Sequence, residues 1–364
     1  MTNSAWIKAK AKEIGWHLVG IAPATRQPEA AALREWLARG CAGDMAYLAR
    51  NVEKREDPRL LFPPARSIIV CGLSYHSRAA SPENRAEPVG LIARYARGAD
   101  YHRVLKDKLF LLLRLIQEET PFPLAAKVCV DTAPILERLC GQRAGLGWIG
   151  KHGGLINPTY GSWFFLGEIL LNVELEADEP LPNQCGTCAR CLEACPTGAL
   201  VAPRMLDARR CLSYLTIEYR GVLPESARAA LNNRVFGCDA CQDACPYNQA
   251  AAAPGLPEFL PREPLQQTEL RRLAALSDAD FRRLFHDSPI WRATRPGFLR
   301  NVMVAIGNSG DPAWLPLLED ASNPADSLVQ AHLDWAKAQI KIQSQDCRAR
   351  DARSAAALAR LPHV

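Results

Sequence analysis

The sequence predicts an α+β protein of several domains, and three observations carry that expectation. Helix and strand signals alternate over residues 1–179, cysteine and proline dominate 180–254, and 255–342 reads as helical. At roughly 100–200 residues per domain, a chain of 364 residues accommodates two or three such units.

In the first unit, Trp6 to Ile14 reads as an amphipathic helix, and Glu29 to Arg39 as another, closed by Gly40. Ser67 to Tyr75 (SIIVCGLSY) is a β-branched apolar run of buried-strand length. Tyr101 to Glu119 gives a long helix that stops before Pro121. Ala125 to Val130 is a second buried strand. Pro134 to Arg143 is a helix ended by Gly145 and Gly147, and Ser162 to Leu175 is a long strand.

In the second unit only Cys211 to Tyr219 and Glu225 to Asn232 read as helical. The rest is expected to bury little apolar surface and to depend on metal for its stability. In the third, Pro296 to Asn308, Ala313 to Asp320 and Asp326 to Lys341 form three successive helices, a HEAT-like pattern with a turn at NSGDP, 308–312. The tail, 343–364, is rich in Ala and Arg and is expected to be frayed or disordered.

Hydrophobic residues make up 48 % and charged residues 23 %, an ordinary globular balance. The net charge of +5 is a mild basic excess, compatible with a nucleic-acid partner without demanding one. Lys8, Lys10, Lys12 and Glu13 interrupt the N-terminus too often for a signal peptide. The longest apolar run, near Leu109 to Leu113, is far too short to cross a bilayer. The expectation is a cytoplasmic, monomeric protein with no membrane partner.

Thirteen cysteines are many for a reducing compartment, where they serve more often as metal ligands than as disulfides. Cys41, Cys71, Cys129, Cys140 and Cys347 are isolated and read as small core hydrophobes. The other eight lie between Cys185 and Cys245. Cys185-x2-Cys188-x2-Cys191-x3-Cys195-Pro196 has the spacing of bacterial two-cluster ferredoxins, in which the fourth cysteine ligates the other cluster. Cys238-x2-Cys241-x3-Cys245-Pro246 lacks a leading cysteine, and Cys211 is its natural replacement. One 4Fe–4S cluster is therefore assigned to Cys185, Cys188, Cys191 and Cys245, and the other to Cys195, Cys211, Cys238 and Cys241. Two zinc ions are the competing reading. The third cysteine at x2 and the Cys-Pro ending have no rationale in a zinc site. Two adjacent clusters point to electron transport toward chemistry carried out next to them.

Beyond the ferredoxin-like motif, the chain carries SIIVCGLSY, ARYARGADYH (93–102), VCVDTAPILER (128–138), GLGWIGK (145–151), CLSYLTIEYRG (211–221) and NSGDP. In that order these segments closely resemble the epoxyqueuosine reductases, over nearly the whole chain. The resemblance implies a nitroreductase-like α/β domain that binds cobalamin beside the ferredoxin-like module. It also implies reduction of epoxyqueuosine to queuosine at the wobble position of tRNA, the last step in making that base. Electrons would pass from an unidentified donor through two 4Fe–4S clusters to cobalamin. Deoxygenating an epoxide needs two electrons and protons, so single-electron carriers must feed a two-electron centre.

The resemblance also implies site residues. Asp131 matches the family's proton donor. As a general acid it must be protonated near neutrality, so burial against the corrin is expected to outweigh the pull of a following helix N-terminus. The competing role for Asp131 is a cap of that helix. Arg55, in EKREDPR, looks like the family's basic residue near cofactor or substrate. Lys151 and His152 follow a glycine turn able to approach a flat cofactor, and Ser213 lies beside the junction of cluster and corrin. Arg271, Arg272, Arg282, Arg283, Arg292, Arg295 and Arg300 gather in the helical region and suit tRNA phosphates. Two alternatives stand beside this reading. One is a reductive dehalogenase-like cobalamin enzyme, which is usually exported. The other is a plain iron–sulfur electron carrier, which would leave the large first unit unexplained.

Overall fold

The computed structural model describes residues 3–78, 89–262, 265, 269–320 and 326–358. Four strands form its main sheet: β1 (Leu18–Pro23), β2 (Ser67–Ser74), β3 (Ala126–Cys129) and β4 (Phe164–Leu171). Their order is β1-β2-β4-β3, with every neighbour antiparallel. The central strands β2 and β4 are buried at every position. Covered on both faces, they read as continuous apolar runs rather than alternating ones.

Helix α1 (Ser4–Glu13) and helix α2 (Tyr101–Glu119) cover one face. Leu105, Leu109, Leu112 and Ile116 of α2 recur at helical spacing and pack on Ile69, Cys71, Phe165 and Ile169. Each such buried leucine contributes about 1.5–3 kcal/mol. Asp100 starts α2 by accepting the N–H of His102 at 2.9 Å. Helix α3 (Glu137–Arg143) sits on the other face, where Cys140 joins Ile68, Val70, Leu166 and Leu170. The isolated Cys71, Cys129 and Cys140 are buried in these cores.

A second core forms around α4 (Leu212–Ile217), α5 (Glu225–Leu231), α6 (Asp278–Phe285), α7 (Thr294–Ser309) and α8 (Ser327–Leu358). Helices α7 and α8 pack closely because residue 307 is glycine. A Cβ there would lie 2.7 Å from the Trp335 ring and 2.9 Å from the Cα of Ala336. Residues 91–92 pair in parallel with 234–236, and Ile92 and Ala96 are buried in this second core. The first stretch of the sequence is thus tied to the last.

Three expectations are corrected. The segment between the cysteine runs does bury apolar surface: Leu212, Leu215, Leu223 and Leu231 are at most 2 % exposed and pack with Val304. The tail does not fray at 343, because α8 continues to Leu358 through Ala, Gln and Arg, all good helix formers. Residues 359–364 lie outside the described residues. Third, α3 starts six residues beyond Asp131, with Leu136 in the N-cap position, so Asp131 does not cap it.

Candidate active site

A cavity of about 360 Å³ opens between the main sheet and the cysteine-rich loops. Phe164, Phe165 and Leu166 of β4 form part of its lining, and Tyr75, Tyr95, Tyr101, Asp131 and Glu137 add to it. Cys195, Cys211, Cys238 and Cys241 line it as well, together with Ser213 and Gln242.

The eight cysteines of the central region are all free thiols. They fall into two groups by the neighbours that resist their ionisation. Beyond burial, Cys191 is held up by Cys245, Cys185 and Cys188, and Cys245 by Cys185 and Cys188. Burial, then the neighbouring Cys238, Cys211 and Cys195 and least of all Cys191 of the other group, pushes Cys241 up to about 12. A thiol in that setting gives up its proton to a metal rather than to water. The fourth cysteine of each run therefore stands with the other run's set. Cys195 differs from its partners. Burial resists its ionisation, but backbone N–H groups outweigh this and hold it below the ordinary thiol value, Ala199 N–H among them at 3.2 Å from its Sγ.

Asp131 follows β3 and adopts a left-handed conformation, φ 51°. Its side chain is 41 % exposed, and its Oδ2 lies 3.0 Å from Nε2 of His102. Asp100 holds the other ring nitrogen at 2.7 Å. Burial opposes charge on His102, but these two carboxylates outweigh it and push the imidazole up to about 9. Burial likewise opposes ionisation of Asp131. The hydrogen bond and charge of His102, with help from Tyr101 and Arg292, hold the carboxyl below the usual carboxylate range. The protein groups around Asp131 by themselves favour its ionised form. The electrostatics of the pair thus favour the proton on His102.

Two further acids stand behind this pair. Glu137 lines the cavity and accepts the backbone N–H of Asp131 through Oε1. Burial, then the charge of Asp131, pushes it up to about 7. Glu168, opposite Cys129 in the sheet, is fully buried, and neither carboxylate oxygen has a partner among the described residues. Burial holds it well above the carboxylate range, so it is a neutral acid.

The other expected site residues separate. His152 and Ser213 line the cavity. Nδ1 of His152 accepts the N–H of Gly154 at 3.0 Å, while its buried Nε2 has no partner among the described residues. Burial lowers this histidine to about 4, so it is neutral, with an unused N–H donor. Lys151 does not line the cavity. Its ammonium donates to the carbonyls of Gly186 and Cys188 at 2.7 and 2.8 Å and so fixes the first cysteine loop. Arg55, in a short helix over Val52–Glu56, has a buried Nε with no partner among the described residues and lies near Tyr47, Glu137 and Asp131; burial lowers its value.

The arginines also divide. Arg271, Arg272, Arg282 and Arg283 are exposed, Arg271 over the Trp314 ring and Arg283 paired with Asp280. Arg292 pairs with Glu218 and lies over the Tyr47 ring, near enough to Asp131 to help lower it. Arg295 donates to the carbonyl of Leu276 at 2.8 Å. Arg300 is 0 % exposed and donates to the carbonyls of Leu215, Tyr219 and Gly221. The expectation of a phosphate contact there is wrong. Its guanidinium ties down the chain that follows α4.

His102, Asp100 and Glu137 were not singled out by the sequence reading. The available signal was local: Asp100 and His102 share the ADYH segment, and Asp131 and Glu137 open and close DTAPILE, but the meeting of His102 with Asp131 spans 29 positions.

Comparison with known proteins agrees with this geometry. Residues 184–248 match a 4Fe–4S double cluster binding domain, and residues 55–132 match the family model for epoxyqueuosine reductase QueG. An epoxyqueuosine reductase of Xanthomonas campestris is 42 % identical over 92 % of this chain and 96 % of its own. That of Escherichia coli is 39 % identical over 92 % and 88 %. A crystal structure of an epoxyqueuosine reductase with an epoxyqueuosine-modified tRNA-Tyr stem loop superimposes with TM-score 0.85 at 33 % identity, over 92 % of this chain and 89 % of that one. A Bacillus subtilis structure, described with its catalytic aspartate loop swung out of the active site, has TM-score 0.85 at 31 % identity, over 92 % and 90 %. Among the described residues no helix is long and apolar enough to cross a membrane. Alike in sequence, in fold and in its cysteine module, this chain belongs to the epoxyqueuosine reductase family.

Proposed function

We propose that this chain reduces epoxyqueuosine to queuosine at the wobble position of tRNA. One observation carries the reading: Asp131, with its protonated His102, opens on the same cavity as the second group of four cysteines. A proton source and a ligand set for an electron carrier thus share one wall-to-wall space.

The chemistry removes the epoxide oxygen as water and leaves an alkene, so two electrons and two protons enter. Cys185, Cys188, Cys191 and Cys245 would hold one 4Fe–4S cluster and Cys195, Cys211, Cys238 and Cys241 the other, and together with a cobalamin in the cavity these groups would supply the two electrons. The unused N–H of His152 and the hydroxyl of Ser213 offer polar contacts to such a corrin at the cavity wall. Apolar and aromatic residues of β4 exclude water from the reacting face.

The protein's own part in the reaction is proton delivery. The proton is held on Nε2 of His102, and Oδ2 of Asp131 passes it to the departing oxygen. Asp100 fixes the imidazole so that Nε2 faces Asp131. Arg55 and Arg292 add positive charge close to Asp131 that suits an anionic tRNA backbone. Arg271, Arg272, Arg282 and Arg283 extend that character over the exposed helical region, which we read as HEAT-like.

The test is anaerobic reconstitution of the full chain with iron, sulfide and cobalamin, then incubation with epoxyqueuosine-containing tRNA and a chemical reductant. Mass spectrometry of the released nucleoside should show loss of one oxygen. An unchanged nucleoside in the presence of reduced clusters would refute the assignment.

A further inference from the structure

The backbone around Asp131 is strained, and a second acid opposes the strain. A non-glycine residue at φ 51° costs about 1–2 kcal/mol and persists only where its surroundings hold it. Thr132 and Ala133 continue an irregular turn that leads to Pro134 before α3 begins. Three residues hold Asp131 against that strain by hydrogen bonds, the Tyr101 hydroxyl donating to its carboxyl among them. His102 takes the side chain, and the Oε1 of Glu137 takes the backbone N–H. Glu137 is itself anchored, because it is the first residue of α3, whose Leu139 and Cys140 are buried.

We propose that Glu137 is a positioning residue whose carboxylate latches the Asp131 loop into the cavity. The proposal rests on the reading of Asp131 as the group that hands over the proton. Released from Glu137, Asp131 can relax out of the left-handed region, and its carboxyl leaves the reacting face. Oε1 of Glu137 accepts the N–H of Asp131 in the loop, so this acceptor is committed to the loop.

The latch is also sensitive to pH. Glu137 faces Asp131 in the loop, His102 and Tyr101 on α2, Arg55 on the short helix at 52–56, Arg138 on its own helix, Cys129 on β3 and Glu168 on β4. Burial beside Asp131 places its titration at about 7. A carboxylate is a markedly stronger acceptor of an N–H than the neutral acid, so the hold weakens as pH falls through that value.

The test compares Glu137→Ala, Glu137→Asp and Glu137→Gln in the full chain carrying its clusters. Gln keeps an acceptor at the same reach without the charge, whereas Asp keeps the charge one methylene short. Residue-resolved hydrogen–deuterium exchange should show the Asp131 amide exchanging about tenfold faster or more in the Ala and Asp variants, and within about threefold of wild type in the Gln variant. Turnover should follow. In Glu137→Ala, kcat falls about tenfold with KM for tRNA held; Glu137→Gln recovers most of it and loses the rise of kcat with pH near 7. An Asp131 amide as protected in both Ala and Asp variants as in wild type overturns the latch. So does a Gln variant exchanging as fast as Ala. Exchange is read without turnover, so it stands even if Asp131→Asn proves active. That outcome would remove the proton-delivery reading alone.

Discussion

Nε2 of His102 stands 3.0 Å from Oδ2 of Asp131, and Asp100 holds the opposite nitrogen of the same ring. One imidazole thus bridges two carboxylates at the edge of a cavity lined by four thiols. Its value of about 9 lies above the ordinary 6.5. A raised value means that the protonated ring favours the folded state. That contribution is complete below about 6.5 and is lost as pH rises through about 9. Turnover should be limited by the same loss, falling about tenfold per pH unit above 9. His102→Gln should remove this limb and reduce the wild-type advantage in thermal stability, which itself shrinks between pH 7 and 10. A profile with the alkaline limb unchanged in His102→Gln would place the stored proton elsewhere.

Asp131→Asn retains the shape of the side chain but cannot relay a proton. It should lower kcat by about 100-fold or more. Cobalamin absorbance titrations and tRNA affinity should be close to wild type, because the residue's task is proton transfer rather than binding. Full turnover by Asp131→Asn would take it out of the reaction.

Much of this arrangement was readable from the chain, for physical reasons that differ by residue. Strands β2 and β4 are buried on both faces, so their apolar runs announced them. Strand β1 was missed because Gly20 and Pro23 interrupt its apolar run. The expected crossing of Cys195 and Cys245 rests on covalent spacing. His102 was not legible, since its role depends on a residue 29 positions away that sequence periodicity does not connect. Lys151 was read toward the corrin because it follows a glycine turn, but its ammonium is consumed by two carbonyls.

The crossing of the cysteine sets yields a test of pairing. Cys195→Ala with Cys238→Ala should remove one cluster and leave about four irons per chain. Cys191→Ala with Cys195→Ala, although close in sequence, should remove ligands from both clusters and leave few irons. Iron analysis and electron paramagnetic resonance on anaerobically reconstituted protein separate the two. Equal iron in both double variants would contradict the crossed assignment.

Arg300 lies in α7 among Phe298, Leu299 and Val302, all nearly unexposed, and that apolar setting was the available sign that it is not a surface charge. Its guanidinium serves the carbonyls of Leu215, Tyr219 and Gly221 and the side chain of Asn301. Burial lowers its own value to about 10, and the charge remains. Truncation to Ala deletes the charge but strands the buried carbonyl of Leu215 and the part-buried carbonyls of Tyr219 and Gly221, which costs about 2 kcal/mol or more. Arg300→Lys should recover only part of this, because one ammonium cannot reproduce a planar fork reaching three acceptors. Urea unfolding should show the loss as a lower midpoint. The exposed Arg282→Ala and Arg283→Ala should instead leave stability within about 0.5 kcal/mol and, if they meet phosphate, weaken tRNA binding with a shallower salt dependence. The two classes of arginine then separate cleanly. A stable Arg300→Ala with weakened tRNA binding would return Arg300 to the surface role that its burial argues against.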